Sequence, residues 1–249
     1  MLDIQIEACV DTVESATQAQ AGGAARVELC AALGEGGTTP SLGTIAVARE
    51  RLKIGLFVLI RPRGGDFRYT PDEYETMTRD VAAAKSAGAD GLVFGALTAD
   101  GEVDRAGMSR LLDAARPLPV TFHRAFDAAR NLDEALEVLL GLGVDRVLTS
   151  GGEATAGAGI PTLARLVRQA GAGLTILAGG GVDESNALRI VRETGVRELH
   201  LRGTHPQAST MTYRNPRPVL GKPVIGPDDT RLVTDALRVR AVVNLLAEA

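Results

Sequence analysis

The strongest constraint on the fold is an alternation that recurs along the chain: a short apolar segment, a loop, and then a helix rich in alanine and leucine. Apolar segments with the character of β-strands are predicted at 3–9, 25–30, 56–60, 91–95, 120–123, 144–149, 174–177 and 198–201. Eight strands that alternate with helices over about 200 residues are typical of a (β/α)8 TIM barrel, an α/β fold with a closed parallel sheet. We therefore predict a single domain over 1–249, in which 206–227 is an irregular loop and a helix at 228–247 closes the barrel.

Composition excludes several classes of function. The formal net charge is −4, whereas sequence-independent binding of nucleic acid requires a basic surface. No apolar run approaches the roughly 18 residues of a membrane span, and the first segment, MLDIQIEA, lacks the basic start and apolar stretch of a signal peptide. We therefore expect a cytoplasmic protein that has neither a nucleic-acid partner nor a membrane partner.

The predicted third strand ends abruptly in charge. The apolar run 56–60 is followed by the sequence RPRGGD at 61–66, in which proline ends the ladder and the two glycines permit a tight turn. Two guanidinium groups and a carboxylate therefore lie at the carboxyl end of a buried strand, where parallel α/β proteins bind ligands. A structural ion-pair cluster of Arg61, Arg63 and Asp66 under a loop is the alternative.

Alternation along the strands predicts which side chains point into the barrel. The polar faces of the first two strands carry Glu7 and Cys9, and then Arg26, Glu28 and Cys30. The same rule places Arg61, His123, Glu198 and His200 inside. The predicted barrel mouth is lined by Glu7, Glu28, Arg61, His123 and His200, with Cys9 and Cys30 at its rim. Since burying ionisable groups is costly, these residues either serve a function or form a layer of mutual ion pairs, with Arg61 as an anion clamp or as the counter-ion of the glutamates.

Proton transfer is one function that the predicted mouth would support. His123, Arg124 and Asp127 in the segment FHRAFD form a compact acid/base set. A histidine titrates near neutral pH, and Glu7 or Glu28 could be its partner. The sequence does not decide which of these groups is the acid and which is the base.

The two cysteines occupy equivalent ends of adjacent parallel strands. Such strands lie roughly 4.8 Å apart, so the thiolates of Cys9 and Cys30 could together hold a soft ion such as Cu(I). They are too few for a zinc site, which requires three or four protein ligands. The alternative is two free buried thiols that behave as small apolar side chains.

Glycine-rich segments follow the predicted sixth and seventh strands. In many barrels, late loops present backbone N–H groups to a phosphate. Ser150, Gly151 and Gly152 in the first segment, and Gly180 and Gly181 in the second, are therefore candidate anion-binding residues. The alternative is that these glycines only form tight turns.

Several motifs resemble those of the CutC copper homeostasis family. They are EACVDTVESA (7–16), RVELCAALGEGGTTPS (26–41), IRPRGGDF (60–67), GADGLVFGAL (88–97), DGEVD (100–104), VTFHRAFD (120–127), RVLTSGG (146–152) and GGGV (179–182). The resemblance implies a (β/α)8 barrel, a homodimer or higher homo-oligomer, and cytoplasmic copper handling, with Cu(I) at the strand-end cysteines that match Cys9 and Cys30. The chain departs from the family after His200, where Leu201, Arg202 and Gly203 replace small residues that include serine.

Two functions therefore remain in view. The resemblance favours a copper homeostasis protein that binds Cu(I). The residues alone favour an enzyme of unassigned reaction that acts on a small anionic or phosphorylated metabolite at the carboxyl-terminal mouth of the barrel. Its catalytic candidates are Glu7, Glu28, Arg61, His123 and His200, because a two-cysteine copper site does not need so many charges.

Overall fold

The computed structural model is a closed barrel of eight strands, each parallel to its neighbours, which confirms the predicted single-domain (β/α)8 TIM barrel. The structure describes residues 4–213, 215, 217 and 230–248. The barrel strands are β1 (Gln5–Val10), β2 (Arg26–Leu29), β3 (Gly55–Leu59), β4 (Gly91–Phe94), β5 (Val120–Phe122), β6 (Arg146–Thr149), β7 (Thr175–Gly179) and β8 (Glu198–Leu201).

Helices follow the strands and cover the outside of the barrel. They are α1 (Val13–Gly22), α2 (Leu42–Arg51), α3 (Pro71–Ser86), α4 (Arg105–Ala115), α5 (Leu132–Leu142), α6 (Ile160–Ala170), α7 (Ala187–Thr194) and α8 (Ala236–Ala247). Side-chain caps fix the starts of six of them. At α3, for example, the Thr70 hydroxyl accepts a hydrogen bond from the Glu73 backbone while the Glu73 carboxylate accepts one from Thr70 N–H, a complete capping box. No helix within the described residues is long and apolar enough to cross a bilayer.

The end of the chain differs from the prediction. Strands β9 (Thr204–Ala208) and β10 (Thr230–Thr234) form an antiparallel pair, so the predicted irregular loop 206–227 is wrong at its start. The prolines of this segment had indicated an irregular loop, but proline is tolerated on an edge strand, and Pro206 lies in β9. The predicted helix 228–247 is also wrong at its start: α8 begins at Ala236, where the Asp235 side chain caps it. Residues 214, 216 and 218–229 lie outside the described part of the chain.

The register of the closed sheet brings distant polar side chains together inside the barrel. Glu7 of β1 lies opposite Arg26 of β2 on one side and His200 of β8 on the other. One step closer to the carboxyl end of the strands, Cys9 lies opposite Glu28. The intervening outward residues, such as Ala8 and Val27, are fully buried against the helices. The inner face therefore carries the chemistry and the outer face carries the apolar core.

Candidate functional site

A buried network of four charges forms the floor of the site. The Nε of Arg26 donates to Glu7 at 2.5 Å, and the same guanidinium donates to Glu198. The Nε of Arg146 donates to Glu198 at 2.7 Å. Both guanidinium groups also lie over the ring of Phe57, at 5.3 and 5.4 Å from its centroid. Two arginines and two carboxylates therefore neutralise one another at the amino-terminal end of the barrel interior.

Glu7 connects this floor to the layer above it. Its second oxygen lies 2.8 Å from Nδ1 of His200. Burial alone would raise the pKa of Glu7, but the charge of Arg26 and the hydrogen bond to His200 lower it to about 2. Burial would lower the pKa of His200, yet its hydrogen bonds to Cys9 and Glu7 raise it well above its ordinary value. His200 is thus a protonated imidazolium between the Glu7 carboxylate and the sulfur of Cys9.

The two cysteines form a thiol layer above His200. Their sulfur atoms are 3.9 Å apart, and the Cys30 thiol also lies 3.3 Å from Oε1 of Glu28. The hydrogen bond from Cys30, supported by His200 and Arg202, lowers the pKa of Cys9 to about 5. The hydrogen bond to Cys9, together with burial, raises the pKa of Cys30. The layer therefore holds one thiolate beside one neutral thiol.

Glu28 completes a group of soft and hard ligand atoms. Burial, followed by the charge of Cys9, raises the pKa of Glu28 to about 8, so its carboxyl group is largely protonated at neutral pH. The ligand atoms of Cys9, Glu28 and Cys30 all lie within 4.8 Å of one another. The sulfur–sulfur distance of 3.9 Å is shorter than the combined length of two metal–thiolate bonds, each of which is about 2.3 Å. One ion can therefore contact both sulfurs, and the donor set fits a soft metal.

A second group of possible ligands is already engaged. Glu7, Glu28 and His200 also bring their ligand atoms within 4.8 Å of one another. However, Glu7 is bound to Arg26 and to His200, and it is completely buried beneath the cavity. This group fits a metal less well than the thiol layer does, because an ion there would have to displace the floor network.

Arg61 braces two loops and does not neutralise the glutamates, so the predicted counter-ion role is wrong. Its guanidinium donates to the backbone carbonyls of Glu35, Gly37 and Gly65 at 3.2, 2.7 and 2.7 Å. Its Cζ lies 4.9 Å from the centroid of the Phe67 ring. The prediction failed because carbonyl acceptors in folded loops leave no trace in the order of residue types.

His123 is a buried neutral imidazole at the mouth. It is 5% exposed, and its Nδ1 accepts a hydrogen bond from Ala125 N–H at 3.2 Å. The proton therefore resides on Nε2, which has no partner within the described residues. Burial, and then the charge of Arg61, lowers the pKa of His123 to about 3. The imidazole is thus a hydrogen-bond donor at neutral pH.

These side chains surround one cavity of about 190 Å³ at the carboxyl end of the strands. The structure brings together six of the seven residues predicted for the mouth and its rim, and it leaves Glu7 beneath them. The six that line the cavity are Cys9, Glu28, Cys30, Arg61, His123 and His200. Arg202 also lines it. Strand alternation could have identified Arg202, since it follows Glu198 and His200 on the same face of β8.

The candidate anion-binding loops divide into two kinds. Backbone N–H groups of Ser150 and Gly152 donate to the Asp127 carboxylate, and that of Gly151 donates to the Thr149 hydroxyl. The backbone N–H groups of the first loop are therefore already bonded within the protein. The prediction that they bind an anion is wrong. In the predicted acid/base set of His123, Arg124 and Asp127, the last two pair with each other at 2.8 Å, and within the described residues neither has a hydrogen bond to His123. Gly180 and Gly181 line a different groove.

Comparison with known proteins extends the similarity over the whole barrel. A profile of the CutC family matches residues 4–205. A CutC family protein from Bacteroides fragilis is 48% identical over 250 residues, which cover 100% of both chains. The copper homeostasis protein cutC homolog of Homo sapiens is 46% identical over 98% of this chain and 89% of that protein. The crystal structure of CutC from Streptococcus agalactiae has a TM-score of 0.76 and 35% identity, over 80% of this chain and 98% of that chain.

Proposed function

Because this chain belongs to the CutC family, we propose that it is a copper homeostasis protein that binds Cu(I) in the cytoplasm. The observation that carries the proposal is the pair of sulfur atoms of Cys9 and Cys30, 3.9 Å apart inside the barrel. Thiolates are soft ligands and select soft ions such as Cu(I) over hard divalent cations. The family also supports a homodimer or a higher homo-oligomer as the assembled form.

The surroundings of the sulfurs favour loading with a monovalent soft ion. Cys9 offers a thiolate at neutral pH because Cys30 and His200 stabilise its charge. Cys30 supplies the second sulfur once its proton leaves with metal binding. A zinc site would need at least three protein ligands, and Glu28, the only carboxylate in this ligand group, is largely protonated at neutral pH.

Titration of the reduced protein with Cu(I) tests the proposal. Under anaerobic conditions and in competition with a colorimetric Cu(I) chelator, we expect about one Cu(I) per chain, because the thiol layer offers one site. Zn(II) is the matched control and should bind far more weakly. Equal binding of Zn(II), or no retention of Cu(I) against the chelator, would contradict the proposal.

We also propose a second function, an enzyme acting on a small anionic molecule at the barrel mouth. The observation in its favour is the unpartnered Nε2–H of His123, which lines the cavity and lies outside the group of metal-ligating atoms. A buried donor without a partner costs about 1–3 kcal/mol, so its retention favours a ligand that accepts this hydrogen bond. A Cu(I) site at the cysteines has no need of it.

Mass spectrometry of small molecules released from the purified protein tests this second function. We expect a small anionic compound at a substantial fraction of one equivalent per chain, and we expect His123→Asn to reduce its retention. Asparagine keeps an acceptor for the Ala125 N–H while it changes the group that faces the cavity. Finding only buffer components, in wild type and variant alike, would count against the enzyme.

A further inference from the structure

A groove between the ends of β7 and β8 opens directly beside the mouth. It has a volume of about 360 Å³ and is lined by the segments 180–184 and 200–204. Cys9, Arg124, His200 and Arg202 line both the groove and the mouth cavity. The two spaces therefore share walls, and one extended molecule could occupy both.

The floor of the groove offers backbone donors that the protein itself does not use. Within the described residues, the N–H groups of Gly180, Gly181 and Val182 donate no hydrogen bond. The corresponding loop after β6 is the opposite case, since Asp127 and Thr149 accept from its N–H groups. Three successive free N–H groups in a concave loop form the kind of nest that binds anions.

Glycine is required at this loop for steric reasons. Gly180 and Gly181 have φ values of +106° and +69°, in the left-handed region that side chains disfavour. A Cβ atom at position 180 would also lie 3.2 Å from the Cβ of Ser150, which is tighter than ordinary contact. The absence of side chains at these two positions leaves the backbone facing the groove.

Arg202 supplies a positive charge that no described carboxylate neutralises. Its Nε is buried and has no hydrogen-bond partner within the described residues. The other arginines of the groove are engaged: Arg124 binds Asp127, and Arg238 binds Glu184 and the carbonyl of Thr204. The two carboxylates that line the groove are also satisfied, since Asp183 accepts from Ser185 and Glu184 pairs with Arg238.

We propose that this groove binds the phosphate group of a small phosphate monoester, whose organic part extends into the mouth towards His123. This inference deepens the second proposed function and rests on it for the organic part of the ligand. A phosphate group carries about two negative charges and three acceptor oxygens. Free N–H groups can satisfy some of these oxygens, and a guanidinium provides charge-assisted hydrogen bonds to the others.

Binding of two phosphate probes tests the inference. Inorganic phosphate and glycerol 3-phosphate would be titrated into the full chain and followed by calorimetry and by 31P NMR line width. We expect both to bind, and we expect Arg202→Met to weaken both at least about tenfold by removing the charge-assisted hydrogen bonds. Arg202→Lys, which keeps the charge, should recover part of the loss.

A matched charge control isolates the groove from a general loss of positive charge. Arg189→Met removes an equal charge from the exposed face of α7, where Arg189 pairs with Glu193, and it should leave phosphate binding unchanged.

The outcomes separate this inference from the second function. If neither probe binds, or if Arg202→Met binds them as tightly as wild type, the groove is not a phosphate site, even if a co-purified anion occupies the mouth. If both probes bind and their affinity depends on Arg202, the groove is a phosphate site, even if no small molecule is released from the purified protein. Enhanced glycerol 3-phosphate binding relative to inorganic phosphate would further support an organic part in the mouth.

Discussion

Replacing both Cys9 and Cys30 by serine is expected to lower the affinity for Cu(I) by more than about a hundredfold. Losing a group that only supports a metal ligand typically costs about 10- to 100-fold, and this change removes both soft ligands themselves. Serine preserves the size of the side chain and a hydroxyl group near Glu28, so the fold should persist. Competition with a Cu(I) chelator measures the loss, and thermal unfolding of the metal-free proteins checks the fold.

A matched variant distinguishes the sulfurs from their carboxyl neighbour. Glu28→Gln keeps the shape of the side chain and removes only its acid function, so we expect a loss of Cu(I) affinity of no more than about tenfold. An unchanged affinity in the double serine variant would place the ion elsewhere. The group formed by Glu7, Glu28 and His200 would then be the first alternative, since its atoms also lie within 4.8 Å of one another.

The charges of the barrel interior are arranged in layers along its axis. The floor is neutral, since Arg26 and Arg146 face Glu7 and Glu198. Above it, the His200 imidazolium neutralises the Cys9 thiolate. Among the described residues of the interior, those of the mouth carry positive charge that no carboxylate pairs with, on Arg61 and Arg202. A cation bound at the thiols would replace their protons. An anion at the mouth would instead bind next to the unpaired charges of the arginines. The two proposed ligands therefore use different layers.

Strand alternation was enough to predict most of the site. Side chains two residues apart on a strand share a face, and this rule alone placed Glu7, Cys9, Glu28 and Cys30 inside the barrel. The architecture was equally predictable, because eight apolar segments alternate with eight helical ones. The pairing of these side chains was not predictable. Arg146 and Glu198 are 52 residues apart in sequence, and only closure of the barrel reveals that they meet.

Predictions that depended on backbone hydrogen bonding were the ones that failed. Arg61 binds loop carbonyls, and a carbonyl is present at every residue, so nothing in the sequence distinguishes its acceptors. Two glycine-rich loops of similar composition also proved different, because Asp127 happens to satisfy the first and no described group satisfies the second. The β9–β10 pair was missed because β9 contains Pro206, which is tolerated on an edge strand.

Replacing Arg26 by methionine is expected to destabilise the protein by about 3–5 kcal/mol, the usual cost of removing one partner from a buried ion pair. Arg26 is 5% exposed and binds both Glu7, which is 0% exposed, and Glu198, which is 8% exposed. Methionine fills a similar volume and can pack on Phe57, so the loss should report charge and not a cavity. Urea unfolding at neutral pH, followed by circular dichroism, measures it.

The control for this variant is Arg79→Met on the outer face of α3. Arg79 pairs with Glu75 one turn away, and its side chain is 79% exposed, so its loss should cost less than about 0.5 kcal/mol. If Arg26→Met lowered the stability no more than Arg79→Met, water or protons would have to compensate Glu7 and Glu198. The floor would then not be a closed network of ion pairs. A large loss would instead show that Glu7 and Glu198 depend on Arg26 as their counter-ion. Glu7 could then keep His200 protonated beneath Cys9, which links the stability of the barrel to the thiolate at its mouth.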